Sequence, residues 1–170
     1  MIHLIPKFLG FFISFFLIGL YWMVHHRMFG YVTNYTTRLI WLNMFFLLSN
    51  IMMPFSNAVY SEYSTTAHYS LVGPYAVYVF NICFTGIMNY FLLRYIFNPK
   101  NKVAEYLPER EAVIYSKRRA LAIPAVFLAS LALMSVLPDF GRMLLFTIPF
   151  VMRMLKPKKR SNITIEESQE

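Results

Sequence analysis

Acidic residues are scarce in this sequence: eight Asp and Glu stand against sixteen Lys and Arg in 170 residues. None of the eight falls inside a long apolar run. An ion-coupled transporter normally sets an acid or a pair of broken helices around a site at membrane depth, so that class lacks its usual groups here. Cysteine is nearly absent. Cys83 is the single one, in the middle of an apolar run, which rules out an intrachain disulfide and a cysteine-built zinc site. No Gly-rich phosphate loop, HExxH, GxSxG or clustered Cys/His ligand set occurs, and no TVGYG filter. The sequence therefore reads as a non-enzyme that calls for no cofactor and no metal ligand set.

What remains is mostly apolar. Hydrophobic residues make up 58% of the chain and charged residues 14%, and aromatics reach 18% with 17 Phe and 12 Tyr. The mean hydropathy is +0.48. Soluble domains are nearer half apolar and a quarter charged, and so short a chain has little interior in which to hide the excess. Lipid resolves the conflict, and tyrosines suit its interfaces. The net charge of +8 would suggest nucleic acid in a soluble protein. Here Lys and Arg fall between apolar runs and at the C-terminus, as the positive-inside rule places them, so no nucleic-acid partner is expected.

A membrane-crossing helix needs roughly 20 mostly apolar residues. Five runs approach this: Phe8–Val24, Leu39–Met53 (extendable through Pro54 towards Val59), Val72–Ile96, Ala120–Leu137 and Phe140–Leu155. The fold class expected is all-α, a polytopic helical membrane protein with about five transmembrane helices. Residues 1–155 form one transmembrane domain. Residues 156–170 form a cytoplasmic tail, basic and then acidic, read as disordered. Pro138-Asp139 alone separates the last two runs and predicts a tight helical hairpin. Pro108-Glu109-Arg110-Glu111 resembles a helix start with Pro in its first turn.

The basic residues set the orientation. With the C-terminus cytoplasmic, the loops after the first and third helices and the tail hold all sixteen except Lys7 and Arg142. The chain is thus expected in the cell membrane, multi-pass. Five helices in this orientation leave the N-terminus outside, and a preceding helix would bring it back. The pattern suggests a six-helix design without its first member. The sequons at Asn34 and Asn162 fall on the inside and read as chance matches.

Polar residues at membrane depth are costly and face protein or a water-filled path. On the first helix Ile18, Trp22 and His25 share a face by i, i+4, i+7 spacing. His25 reads as a buried hydrogen-bond partner, a proton-sensitive group or an interfacial histidine. Asn43 and Asn50 share a face of the second helix. Tyr78, Asn81, Thr85 and Asn89 form a stripe on the third, read as interhelical glue or, alternatively, as pore lining. Gly86 permits close approach of a neighbour.

The stretch Ile18-Gly19-Leu20-Tyr21-Trp22-Met23-Val24-His25-His26-Arg27-Met28-Phe29 resembles the second helix of the prokaryotic transmembrane protein 175 channels. Arg38-Leu39-Ile40-Trp41-Leu42-Asn43-Met44-Phe45-Phe46-Leu47-Leu48, followed by Pro54-Phe55, resembles their third. The resemblance covers roughly Pro6 to Leu155. It implies a potassium-permeable channel, and some members also conduct protons. It implies six helices per chain and a homotetramer in the lipid bilayer, with the pore on the oligomer axis. The pore helix of that family carries Arg, then Phe-Ser-Asp. By match, Trp22, His25 and Asn43 would contact it. No Arg…Phe-Ser-Asp helix occurs in these residues, and Phe55-Ser56-Asn57, expected at a helix end, is a decoy. The expectation is then an incomplete channel with an open groove beside the first two helices, against a non-conducting structural membrane protein as the alternative.

Overall fold

The structure is a computed structural model that describes residues 4–63 and 72–155. Four long helices come first: α1 (Leu4–Phe29), α2 (Thr37–Tyr63), α3 (Val72–Ile96) and α4 (Arg110–Met134). Two short ones follow, α5 (Pro138–Met143) and α6 (Ile148–Met154), joined by a 3-10 turn at Leu144–Thr147. Among the described residues there is no β-strand, only an isolated bridge between Val32 and Ala104. The all-α expectation holds. The tail 156–170, the sequon at Asn162 and the whole segment 64–71 between α2 and α3 lie outside the described residues.

By length and composition, α2 and α3 are each sufficient to cross a membrane. Their 27 and 25 residues correspond to roughly 40 Å and 37 Å, against a hydrocarbon core of about 30 Å. The surface is apolar where a soluble protein would be polar. Phe11, Phe15 and Phe16 on α1, Trp41, Phe45 and Ile51 on α2, and Phe80 on α3 all stand exposed. In water such a belt is an aggregation liability; against acyl chains it is the proper face.

Three expectations need correction. The run Phe140–Leu155 is not one spanning helix but α5, a 3-10 turn and α6. Pro149 lies in the first turn of α6, where its missing N–H costs nothing but where a continuous helix would lose a bond, so the chain restarts there. Helix α4 begins ten residues before the apolar run and ends three residues short of it. Apolarity marks the lipid-facing part of a helix, and the charged turns from Arg110 onward are helical beyond it. Glu109 is its N-cap, so Pro108 stands before the helix rather than inside it. Lastly, α2 runs through Pro54 to Tyr63, so Phe55-Ser56-Asn57 lies within a helix and not at its end.

The hairpin after α4 is as tight as expected. A Cβ on Gly141 would lie 2.6–2.7 Å from backbone and Cβ atoms of Met134, so only glycine admits this approach. Ser130 Oγ donates to the Gly141 carbonyl at 2.6 Å. With its proton so used, Ser130 accepts from the Tyr75 hydroxyl at 2.7 Å. One buried serine thus ties α3, α4 and α5 together.

The core has two parts. One joins Met28, Leu39, Phe46, Leu92, Ile96 and Val103 near the α1–α2 turn. The other joins Met53, Tyr75, Val79, Ile82, Phe127 and Met134 across α2, α3 and α4. At the first end the connecting segments are bonded to each other. Thr33 N and Asn34 N donate to the Val103 carbonyl at 2.9 and 3.1 Å. Thr36 caps α2 by accepting from Leu39 N at 3.2 Å, and its hydroxyl meets that of Tyr95 at 2.9 Å.

Candidate functional site

His25 and Asn43 meet between α1 and α2. The Nε2 of His25 lies 2.7 Å from the Asn43 side-chain oxygen, so Nε2 carries the proton and donates. The imidazole is 9% exposed and lies in an aromatic sleeve. Phe29 stacks on it at 4.2 Å, Phe46 at 5.6 Å nearly parallel, and Trp22 at 5.6 Å. Trp22 itself is 59% exposed. The structure therefore brings Trp22, His25 and Asn43 into one cluster with an indole as its outer wall. Spacing along α1 accounts for the Trp22–His25 contact, since i and i+3 lie on one face. The neighbour His26 is exposed, pointing away from the cluster.

The stripe on α3 divides. Asn81 faces three groups of α2: the Ser49 carbonyl at 3.1 Å, Ser56 Oγ at 3.1 Å and Met53 N at 3.2 Å. With its NH2 toward the carbonyl, the amide donates once and accepts twice, which satisfies it. Ser49 and Ser56 are both buried; the sequence marks Ser56 only within the decoy triplet and Ser49 not at all, since Ser–Asn pairs across helices carry no local signature. Thr85 Oγ1 donates to the Asn81 carbonyl at 2.9 Å, a bond within its own helix. Tyr78 is stacked on Tyr60 at 5.9 Å and edge-on to Phe127 at 6.0 Å. Asn50 donates to the Phe46 carbonyl at 2.8 Å. The side-chain oxygens of Asn50 and Asn89 are buried without a hydrogen-bond partner.

Gly86 lets α4 approach α3. A Cβ there would sit 2.2 Å from Pro124 Cγ and 2.8 Å from the Ala120 carbonyl oxygen. Beside this contact a cavity of about 370 Å³ opens between α1, α3 and α4. Its walls include Leu20, Val24, Met53, Ile82, Ile123 and Phe127, with Asn89, Arg27 and Arg119 as polar members. None of Trp22, His25 and Asn43 lines it, so this cavity is not the groove expected beside the first two helices. Among the described residues no group of His, Cys, Asp and Glu is arranged to hold a metal ion.

Residues 1–54 match the family described as the endosomal/lysosomal potassium channel TMEM175. The segment contains α1, the first two-thirds of α2 and the whole His25–Asn43 cluster. The match covers about the first third of the chain and makes that part similar to the transmembrane protein 175 family. Two curated relatives agree. A protein named as a potassium channel in a Chryseobacterium species is 29% identical over 84 residues, 49% of this chain and 41% of the relative. Another so named in Streptomyces collinus is 33% identical over 58 residues, 34% of this chain and 28% of the relative. The similarity thus spans less than half the length of either relative. No solved structure matches the chain.

Proposed function

We propose that this chain belongs to the transmembrane protein 175 family and is a multi-pass membrane subunit of a potassium-permeable channel, its helices arranged around a pore on the axis of a homo-oligomer. The observation that carries this reading is the His25–Asn43 bond, made between two helices within the segment that matches the family. Its indole wall, Trp22, is exposed and available to a further helix. A tetramer is the assembly that the resemblance implies, and proton conduction is a property of some members.

The orientation proposed is C-terminus cytoplasmic. The two loops that hold most of the basic residues before the tail are bonded to each other through Thr33, Asn34 and Val103, which supports a common side for both. In this reading α1, α2, α3 and α4 cross the bilayer, and the α5–α6 segment packs back on α4 without a full crossing of its own.

A second reading is favoured by a specific observation. Asn43, Asn81 and Thr85 are satisfied by bonds between or within helices, which suits a non-conducting structural protein. Liposome flux separates the two. Purified protein is reconstituted as given and, in parallel, with a family-type Arg…Phe-Ser-Asp helix joined ahead of Met1. Potassium efflux that the added helix raises supports a pore on the axis with α1 and α2 as its scaffold. Efflux absent in both preparations supports the structural reading. Selective efflux from the chain as given, unchanged by the addition, would move the pore to the α3 stripe.

A further inference from the structure

The cavity between α1, α3 and α4 is unlike the rest of the interior. Most of its lining is apolar, no carboxylate lines it, and two arginines do. Helices α1 and α4 make no extended contact with each other, so the space between them opens on the side of the bundle. Arg27 stands near the cytoplasmic end of α1 in the proposed orientation. Arg119 stands at the start of the apolar part of α4. It precedes Ala120, whose carbonyl lies against Gly86, and Gly86 stands about 15 Å short of the α3 end at Ile96. An arginine against an apolar lining draws a counter-charge, and no carboxylate lines the cavity beside Arg27 or Arg119. A third observation is independent of both. The Asn89 side chain, only 6% exposed, lines the same cavity with its oxygen unpartnered. A buried acceptor of this kind calls for a donor from outside the chain.

We infer that this cavity holds an anionic glycerophospholipid of the inner leaflet, with its phosphate on Arg27 and Arg119 and an acyl chain along Leu20, Val24, Ile123 and Phe127. Guanidinium pairs with phosphate through strong, charge-assisted hydrogen bonds. Basic pockets between membrane helices on the cytoplasmic side are the usual place for such headgroups. A glycerol headgroup also brings hydroxyl donors, which Asn89 lacks. A cavity of about 370 Å³ takes a headgroup and part of one chain, and the remainder of the lipid stays in the bilayer. A free inorganic anion would fill only the arginine end and leave the apolar wall empty.

The inference rests on the membrane placement proposed above and not on conduction. The test is native mass spectrometry and thermal melting of the full chain, taken from vesicles of phosphatidylglycerol and phosphatidylcholine mixed in equal amounts. Phosphatidylglycerol should be retained at least tenfold over phosphatidylcholine and should raise the melting temperature; inorganic phosphate should not. Arg27→Gln with Arg119→Gln should abolish the preference. Arg110→Gln with Arg118→Gln, which removes the same charge outside the cavity, should keep it. All four positions are exposed, and melting without lipid confirms that the variants fold. Equal retention of the two lipids, or equal loss in both double variants, would overturn the site. Full competition by inorganic phosphate would overturn it in favour of a small-anion site. Failure of the protein to enter vesicles at all would strike the membrane reading instead.

Discussion

Helices α1 and α3 are apolar rods of nearly equal length, 26 and 25 residues, yet they are held in different ways. Helix α3 is gripped on two sides, by α2 and by α4. Its buried positions run from Tyr75 to Ile96 without a gap longer than a turn. Helix α1 packs mainly along α2; among its described residues Met28 joins the core beside Leu92 and Ile96, and Ile18 and Tyr21 reach the α2–α3–α4 cluster. Lipid offers apolar side chains no less than a protein interior does, so helices in it are joined by close backbone approach and by hydrogen bonds. Helix α3 uses the first device at Gly86; α1 uses the second at His25. A helix fixed by shape on two sides resists change everywhere along its length. A helix held mainly along one side, by a polar bond and the apolar contacts around Met28, is the more removable part.

The largest effect is expected where shape does the holding. Gly86→Ala puts a methyl 2.2 Å from Pro124 Cγ and 2.8 Å from a backbone oxygen that cannot turn away. The cost should be at or above the overpacking range of about 1–3 kcal/mol. Melting in detergent should show it, and Pro124→Ala in the same chain should restore part of the loss. A neutral Gly86→Ala would mean that α3 and α4 stand further apart than described, and α3 would then be no better held than α1.

Next in size is the polar bond. His25→Ala leaves the Asn43 oxygen without its donor, and Asn43→Ala strands the imidazole, each at about 1–3 kcal/mol. A double-mutant cycle should return a coupling of about 0.6 kcal/mol, the usual size between membrane helices, and below about 1.7 kcal/mol. Zero coupling would mean that the aromatic sleeve, not the bond, holds α1. Limited proteolysis adds a sharper contrast. His25→Ala should loosen α1 alone, whereas Gly86→Ala should loosen α3 and α4 together.

How far the sequence foretold this follows the same division. The apolar run Val72–Ile96 ends where α3 ends, because the composition turns polar at Asn98-Pro99-Lys100. Helix α4 does not coincide, because its first turns are charged and hydropathy says nothing of a helix in water. Pro149 was visible, but its effect on the last run depends on α5 folding back through Gly141, which no local pattern announces. His25 and Asn43 were legible as a pair only through resemblance. Spacing places Trp22 beside His25, whereas nothing in spacing joins residues on two helices. The bonds of Ser130, Ser56 and Ser49 were missed for that reason: a serine in an apolar helix looks alike whether it faces a carbonyl or lipid.

A smaller effect lies at the foot of the bundle. Tyr75→Phe removes the proton donated to Ser130 but leaves Ser130 on the Gly141 carbonyl. About 0.5–1.5 kcal/mol should be lost, with the α4–α5 hairpin intact. Ser130→Ala should cost more, since it orphans that carbonyl as well. Equal losses in the two would mean that the serine does not bridge three helices.

The smallest effect is electrostatic, where the last turn of α3 meets the first turns of α4. Burial first, and the Arg94 guanidinium second, hold the Lys117 amine below its ordinary pKa. The fold therefore binds that proton less tightly than the unfolded chain does. The resulting penalty is present while the amine is charged and is relieved as pH rises through its titration. Arg94→Gln removes one of the two causes, so the Lys117 pKa should move up, though not to its free value, because burial persists. The pH profile of amine acylation at Lys117, read by peptide mass spectrometry, measures this directly. Arg110→Gln, at the start of α4, serves as the control and should leave the profile where it is. An unmoved midpoint in Arg94→Gln would separate the ends of α3 and α4. Gly86 would then be the pivot about which the two helices splay, and the two-sided grip on α3 would hold only near the middle of that helix.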